Sequence, residues 1–194
     1  MQVNKAVFLD KDGTIITNVP YNVDPLKIKP EKGVLEGLRL LADHGYHLFI
    51  VTNQSGIAKG YFDMEDIFNV RDFLQDLLRT YGLPPFKAFY FCPHHPDGLI
   101  ARFSRTCNCR KPAPGLLEVA AAEHGVCLKQ SWMVGDILND VEAGNRAGCK
   151  SILINNGNET IWENGSYRTP NFIVSNFLEA ASTIVSYDAR HISL

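Results

Sequence analysis

Apolar residues along this chain gather into short β-branched or aromatic runs, separated by longer stretches in which they recur at helical spacing. Runs at Ala6–Leu9, His47–Val51, Ala88–Phe91, Ser131–Val134, Ser151–Ile154 and Phe172–Val174 predict six strands. In GVLEGLRLLADHG, Val34, Leu38 and Leu41 share one helical face and Gly45 stops the run. In DMEDIFNVRDFLQDLLRTYG, Ile67, Val70, Leu74, Leu77 and Tyr81 do the same, with Asp63 suited to the N-cap and Gly82 to the stop. Further helices are expected at Pro114–His124, Leu138–Ala147 and Asn176–Ser186. Strands alternating with helices predict an α/β fold of βαβ units, with a mainly parallel sheet and a single domain over residues 1–194.

Two segments follow neither period: Thr17–Gly33, rich in Pro and Asn, and Cys92–Pro114. Aperiodic stretches of that length inside a domain are functional or held by a metal more often than not. Both follow strands, which puts them at the carboxyl edge of the sheet, where open α/β folds bind ligands.

The chain carries 194 residues, 45% of them hydrophobic, and a net charge of -2. That balance leaves no electrostatic footprint for nucleic acid or an anionic membrane, so an anionic ligand needs a local site. No apolar run reaches the roughly 18–20 residues of a membrane span, and MQVNKAVFLD lacks the apolar core of a secretion signal, so the expected location is cytoplasmic. Five cysteines, an odd number, suit a reducing compartment. Cys127 and Cys149 lie among apolar or small residues and read as structural thiols.

The run VFLDKDGTI poses the chemical question. In an extended segment residues i and i+2 face one side, so Asp10 and Asp12 would aim two carboxylates at one small volume. Such a pair repels unless a cation or a proton joins it. Three further motifs follow strand ends: T-N-Q-S-G at 52–56, C-R-K-P at 109–112 and G-D-I-L-N-D at 135–140. Strand tips of a parallel sheet point one way, so Asp10, Asp12, Thr52, Asn53, Lys111, Asp136 and Asp140 can converge. Carboxylates facing one lysine suit Mg2+ and a phosphate ester. Backbone N–H groups after Asp10, in a turn opened by Gly13, are expected to add a small anion nest. Taken singly the motifs are weak: D-x-D also serves as a turn cap or binds nucleotide sugars in some glycosyltransferases, Asn53 or Ser55 could be a helix N-cap, and Lys111 a surface lysine.

A second constellation, C-x-H-x12-C-x-C, is formed by Cys92, His94, Cys107 and Cys109. Four such ligands suit a closed tetrahedral Zn2+ that staples a loop, residues 92–110, lacking a core of its own. His95 would serve as well as His94 on chemistry alone, and reduced thiols or a strained Cys107–Cys109 disulfide are the plainer alternatives.

In their order these motifs resemble the haloacid dehalogenase (HAD) superfamily of phosphotransferases, over nearly the whole chain. The resemblance implies a Rossmann-like three-layer fold with no large cap domain. It implies Asp10 as the nucleophile forming an aspartyl-phosphate, Asp12 as general acid and base, and Thr52 and Lys111 on the phosphoryl oxygens. Mg2+ would sit on Asp10, Asp136 and the main-chain carbonyl of Asp12. The combination with C-P-H-H-P and C-x-C-R-K-P-x-P-G is similar to the heptose 1,7-bisphosphate 7-phosphatases of lipopolysaccharide-core precursor synthesis, with the histidinol-phosphate phosphatases next; the twelve-residue spacer favours the former. Residue by residue it implies structural Zn2+ on Cys92, His94, Cys107 and Cys109, and substrate contacts from Asn53, Gln54, Ser55 and Arg110, with Tyr21 nearby. A small phosphorylated sugar is the expected partner, and a monomer the expected state. Ile137 departs from the pattern, since many relatives carry a polar or basic residue after the fourth-motif aspartate. A non-catalytic zinc-bearing binding protein on the same fold is the rival of another class, which the retained Asp10, Asp12, Lys111 and Asp136 oppose.

Overall fold

The computed structural model describes residues 4–191. Strands β1 (Ala6–Leu9), β2 (His47–Asn53), β3 (Ala88–Cys92), β4 (Trp132–Gly135), β5 (Lys150–Ile154) and β6 (Phe172–Val174) form one sheet in the order β3-β2-β1-β4-β5-β6. Every neighbouring pair is parallel. Helices α1 (Val34–Asp43), α2 (Gly56–Lys59), α3 (Met64–Thr80), α4 (Gly115–His124), α5 (Leu138–Ala147) and α6 (Phe177–His191) supply the crossovers and the outer layers.

The two-residue period of the strands sorts the core into two sides. Val7 and Leu9 of β1, with Leu48, Ile50, Trp132, Val134 and Ile152, face Leu38 and Leu41 of α1, Val70 and Leu74 of α3 and Ile184 of α6. Ala6 and Phe8, with Phe49, Val51 and Met133, face Leu117 and Ala120 of α4. Central strands buried on both faces read as the continuous apolar runs seen in the sequence. Asp63 caps α3 as expected: its side chain accepts from the N–H groups of Glu65 and Asp66, and Asp66 reaches back to the N–H of Asp63.

The departures from expectation have local causes. Helix α2 is one turn, too short to show a period. Helix α6 runs past Ser186, an extension the apolar pattern hides because the inward face there is polar: buried Asp188 accepts from the Tyr46 hydroxyl at 2.5 Å and from the Trp132 indole at 3.4 Å. A third aperiodic segment, residues 155–171, joins β5 to β6. Thr17–Gly33, by contrast, closes on itself through the Thr17 N–H on Lys29 O and is pinned to the body by the Glu31 N–H on Ile15 O and by Ile28 in the core.

The strand order reverses direction at β1, which has β2 on one side and β4 on the other. In open parallel sheets this switch point opens a crevice at the carboxyl edge. The tips of β1, β2 and β4 carry the first, second and fourth motifs there.

Candidate active site

The Asp10 N–H donates to Val134 O at 3.0 Å, carrying the β1–β4 ladder one residue beyond β1 and fixing Asp10 at the rim of the sheet. The chain then closes into a ring. The N–H groups of Ile15 and Ile16 both donate to Lys11 O at 3.0 Å, and the Gly13 N–H donates to Ile16 O at 2.7 Å. The expected anion nest therefore lacks the Gly13 N–H, which the ring has taken. Gly13 itself has φ +80°, and a Cβ there would lie 2.1 Å from Asp136 Oδ2, so two reasons exclude a side chain.

Lys111 ties the motifs together. Its ammonium is buried, 2.5 Å from Asp10 Oδ1 and 2.6 Å from Asp140 Oδ1, and donates to Val51 O at 2.8 Å. Burial alone would push the Lys111 pKa down; the carboxylates of Asp10 and Asp140 more than reverse this and hold it above the ordinary lysine value. Asp140, on the first turn of α5, stood among the converging residues in the sequence without a role; here it is the second counterion. Gly135 makes room for it, since a Cβ there would lie 2.2 Å from the Asp140 side chain.

Carboxylate oxygens of Asp10, Asp136 and Asp140 lie within 4.8 Å of one another. Burial first, then the charges on Asp10 and Asp140, push the Asp136 carboxyl up to about 8. Burial pushes that of Asp140 up to about 6 against the pull of Lys111. An all-oxygen set of buried carboxylates with more negative charge than one lysine offsets is the chemistry of a hard divalent cation, so the residues fit Mg2+.

Asp12 stands apart from that set, part-buried, with Lys11 Nζ on Oδ1 at 2.7 Å and Gln54 Nε2 on Oδ2 at 3.1 Å. Burial raises its pKa, Lys11 works against this and Asp10 adds to it. Lys11 itself is 1% exposed, and its sequence position gave no sign of that: a lysine between two aspartates looks like any solvated charge. Thr52 is buried and its hydroxyl accepts from Gln54 Nε2 at 3.0 Å. Asn53 grips the main chain of Lys111 from both sides, Nδ2 donating to Lys111 O and Oδ1 accepting from Lys111 N–H, each at 3.0 Å. Of the two N-cap candidates, Ser55 takes the position before α2 but makes no capping bond with its side chain.

A pocket of about 210 Å3 opens beside Asp12, lined by Tyr21, Asn53, Gln54, Ser55 and Phe62 among others. Tyr21 adopts a left-handed backbone, φ 56°, with its hydroxyl accepting from Lys59 Nζ at 2.6 Å and its ring edge-on to Tyr61 at 4.7 Å. Arg110 donates to His94 O at 3.3 Å, which ties it to the cysteine cluster.

In that cluster the Sγ atoms of Cys109 and Cys92 are 3.2 Å apart, those of Cys109 and Cys107 3.2 Å, and those of Cys92 and Cys107 3.5 Å. His94 Nδ1 lies 3.3 Å from Cys109 Sγ and 3.6 Å from Cys92 Sγ. The S···S edges are shorter, by up to about 0.6 Å, than the about 3.8 Å of a tetrahedron with Zn–S bonds near 2.3 Å, and the one-histidine, three-cysteine donor set fits Zn2+. All five cysteines are free in this structure. His95 is turned away, its Nδ1 accepting from the Asp97 N–H at 3.1 Å.

Comparison with known proteins agrees with this geometry. The HAD-hydrolase-like family model matches residues 108–180. The D-glycero-alpha-D-manno-heptose-1,7-bisphosphate 7-phosphatase of Photorhabdus laumondii is 36% identical over 188 residues, covering 95% of this chain and all of the relative. The D-glycero-beta-D-manno-heptose-1,7-bisphosphate 7-phosphatase of Yersinia pestis is 39% identical over 153 residues, covering 78% of this chain and 81% of the relative. Among solved structures, the D,D-heptose 1,7-bisphosphate phosphatase of B. bronchiseptica, complexed with magnesium and phosphate, superposes with a TM-score of 0.81 at 28% identity, covering 94% of this chain and 99% of that one. With a relative matched over its whole length at that identity, this chain belongs to the heptose-1,7-bisphosphate 7-phosphatase family of the HAD superfamily.

Proposed function

We propose that this protein hydrolyses the 7-phosphate of D-glycero-D-manno-heptose 1,7-bisphosphate by way of a phosphorylated Asp10. The observation that carries the reading is the buried Lys111 bridging Asp10 and Asp140 at the switch point of the sheet, with Asp136 alongside. Lys111 takes one oxygen of Asp10 and leaves the other to attack phosphorus. The new bond joins that oxygen to phosphorus as the bond to the sugar oxygen breaks, and Asp12 gives its proton to the departing alkoxide. Asp12 then takes a proton from water, whose oxygen displaces Asp10 and releases inorganic phosphate. The raised pKa of Asp12 supports its carrying that proton, and its bonds from Lys11 and Gln54 aim it.

Asp10, Asp136 and the main-chain carbonyl of Asp12 would hold Mg2+, which when bound neutralises charge on the phosphoryl oxygens. Thr52 would bind the same oxygens, and the charge of Lys111, held beside Asp10, would offset theirs. Arg110, and Lys59 on the hydroxyl of Tyr21, add cations beside the pocket, where a bisphosphate needs a second anchor. Asn53, Gln54 and Ser55 would meet the sugar, Asn53 also holding the Lys111 main chain in place. Zn2+ on Cys92, His94, Cys107 and Cys109 would order the loop that presents Arg110 and Lys111. The relatives weigh the substrate toward the heptose ester and away from histidinol phosphate. Among the described residues no helix is long and apolar enough to cross a membrane; we read the protein as a single-domain cytoplasmic monomer.

The test of the function is phosphate release from both anomers of the heptose bisphosphate and from histidinol phosphate, with Mg2+ present and then chelated. A Mg2+-dependent preference for a heptose ester is expected, and Asp10→Asn should keep the fold, less stably because Lys111 loses one of its two counterions, yet lose roughly a thousand-fold or more in kcat. Near-normal release by that variant would remove Asp10 as nucleophile.

The carboxyls set a pH dependence. A carboxyl whose pKa is raised by folding favours the folded state in its protonated form, a contribution complete below the ordinary carboxylate range and lost as pH rises through about 8 for Asp136. Chelated protein should therefore melt at lower temperature as pH rises from about 5 to about 8, and Mg2+ should restore stability most at the upper end. A Mg2+-induced shift that is flat over this range contradicts the assignment.

Cys107→Ser should lower zinc content and melting temperature together, each kcal/mol lost being worth about 2–4 °C at this chain length. An unchanged melting curve would count against a structural metal.

A further inference from the structure

Ile137 follows Asp136 and takes the N-cap position of α5, with extended backbone dihedrals but no side-chain acceptor for the helix's first N–H groups. Ser, Thr, Asp or Asn there would ordinarily supply one. A carboxylate from elsewhere meets the N–H of the helix's first residue instead. Glu159, on the segment joining β5 to β6, accepts from the Leu138 N–H through Oε2 at 2.6 Å, and its other oxygen accepts from the Ile161 N–H at 2.8 Å. A carboxylate at this end of the helix also meets the positive pole of its dipole.

One residue earlier, Asn158 Nδ2 donates to Asp136 Oδ2 at 2.8 Å, while the Thr14 hydroxyl donates to Oδ1 at 3.2 Å. Two donors on two oxygens fix the plane of that carboxylate. The segment is fastened to the first motif as well: Asn156 Nδ2 donates to Gly13 O at 2.7 Å, and its Oδ1 accepts from the Asn158 N–H at 3.3 Å. The approach is so close that a Cβ on Gly13 would lie 2.5 Å from Asn158 Nδ2. A neutral amide donor suits the place where a carboxylate would not, because Asp136 already has Asp10 and Asp140 beside it and a further negative charge would repel all three.

We propose that Asn158 and Glu159 are positioning residues for Asp136, holding its carboxylate and the start of α5 in the geometry that binds Mg2+, where Ile137 offers no polar side chain. The inference rests on the reading of Asp10 and Asp136 as Mg2+ ligands. Residues that orient a ligand from behind typically contribute 10–100-fold to metal affinity. Asn158 and Glu159 touch neither substrate nor metal in this account; they act through Asp136 and Leu138.

Calorimetric titration of Mg2+ into the metal-free protein tests this, with Asn158→Ala, Glu159→Ala, Glu159→Gln and, as reference, Asp136→Asn. Asn158→Ala and Glu159→Ala should weaken Mg2+ binding about 10–100-fold, with kcat recovering at saturating Mg2+. Glu159→Gln, whose amide oxygen can still accept from Leu138, should return affinity toward wild type. A Mg2+ affinity of Asn158→Ala within about two-fold of wild type, well short of the effect of an orienting residue, overturns the inference while leaving the metal site intact. So does a kcat deficit that saturating Mg2+ does not repair. If Glu159→Ala does not fold, Asn158→Ala and the Glu159→Gln rescue decide. If Asp136→Asn binds Mg2+ as wild type does, the ligand assignment falls and the inference with it.

Discussion

The ion pairs of a single buried ammonium organise this molecule. Lys111 is almost wholly shielded from water, and an unpaired charge there would cost several kcal/mol, so its position demands Asp10 from just past β1, Asp140 from α5 and Val51 O from β2 at the same time. Those partners come from three separate parts of the chain, and the contact can form only when the sheet has assembled in the observed order. Removing one carboxylate would leave the rest of the cluster unbalanced, so the site and the fold depend on the same contacts.

The surroundings of the cluster divide its labour. Asp10 gives one oxygen to Lys111 and keeps the other away from it, while Asp12 is turned aside onto Lys11 and Gln54. Two carboxylates separated by one residue thus acquire different environments, and in the proposed reaction different roles. The cysteine cluster lies directly before Lys111 in the chain, and Asn53 clasps the Lys111 backbone from the tip of β2. Order in the 92–110 loop and order at the reacting centre are therefore coupled through one residue's main chain.

Much of this was legible in the sequence for identifiable reasons. Strands buried on both faces left unbroken apolar runs, and Val7 with Leu9 against Ala6 with Phe8 shows the two-sided packing that such runs encode. The chemical motifs sit at strand ends, so a parallel sheet alone brings them together. What stayed hidden depends on partners distant in the chain. Residues 155–171 have no period, and nothing in N-N-G-N-E-T marks Asn156 as reaching Gly13, 143 residues away, or Glu159 as reaching Leu138. Burial of Lys11 and the inward-facing Asp188 were equally silent, because a charged residue in a pattern reads as solvent-facing until the fold supplies its counterpart. Ile137 gave the one signal available: a missing polar side chain at a helix start implies a substitute from elsewhere.

The account stands or falls on which oxygen becomes phosphorylated. A crystal structure of the protein with Mg2+ and beryllium fluoride, a mimic of an acyl-phosphate, addresses that directly. The account predicts the fluoroberyllate on the Asp10 oxygen that faces away from Lys111, with the metal between Asp10 and Asp136 and the Lys111–Asp140 pair preserved. Fluoroberyllate on Asp12, or a metal that displaces Lys111 to sit on Asp140, would contradict it.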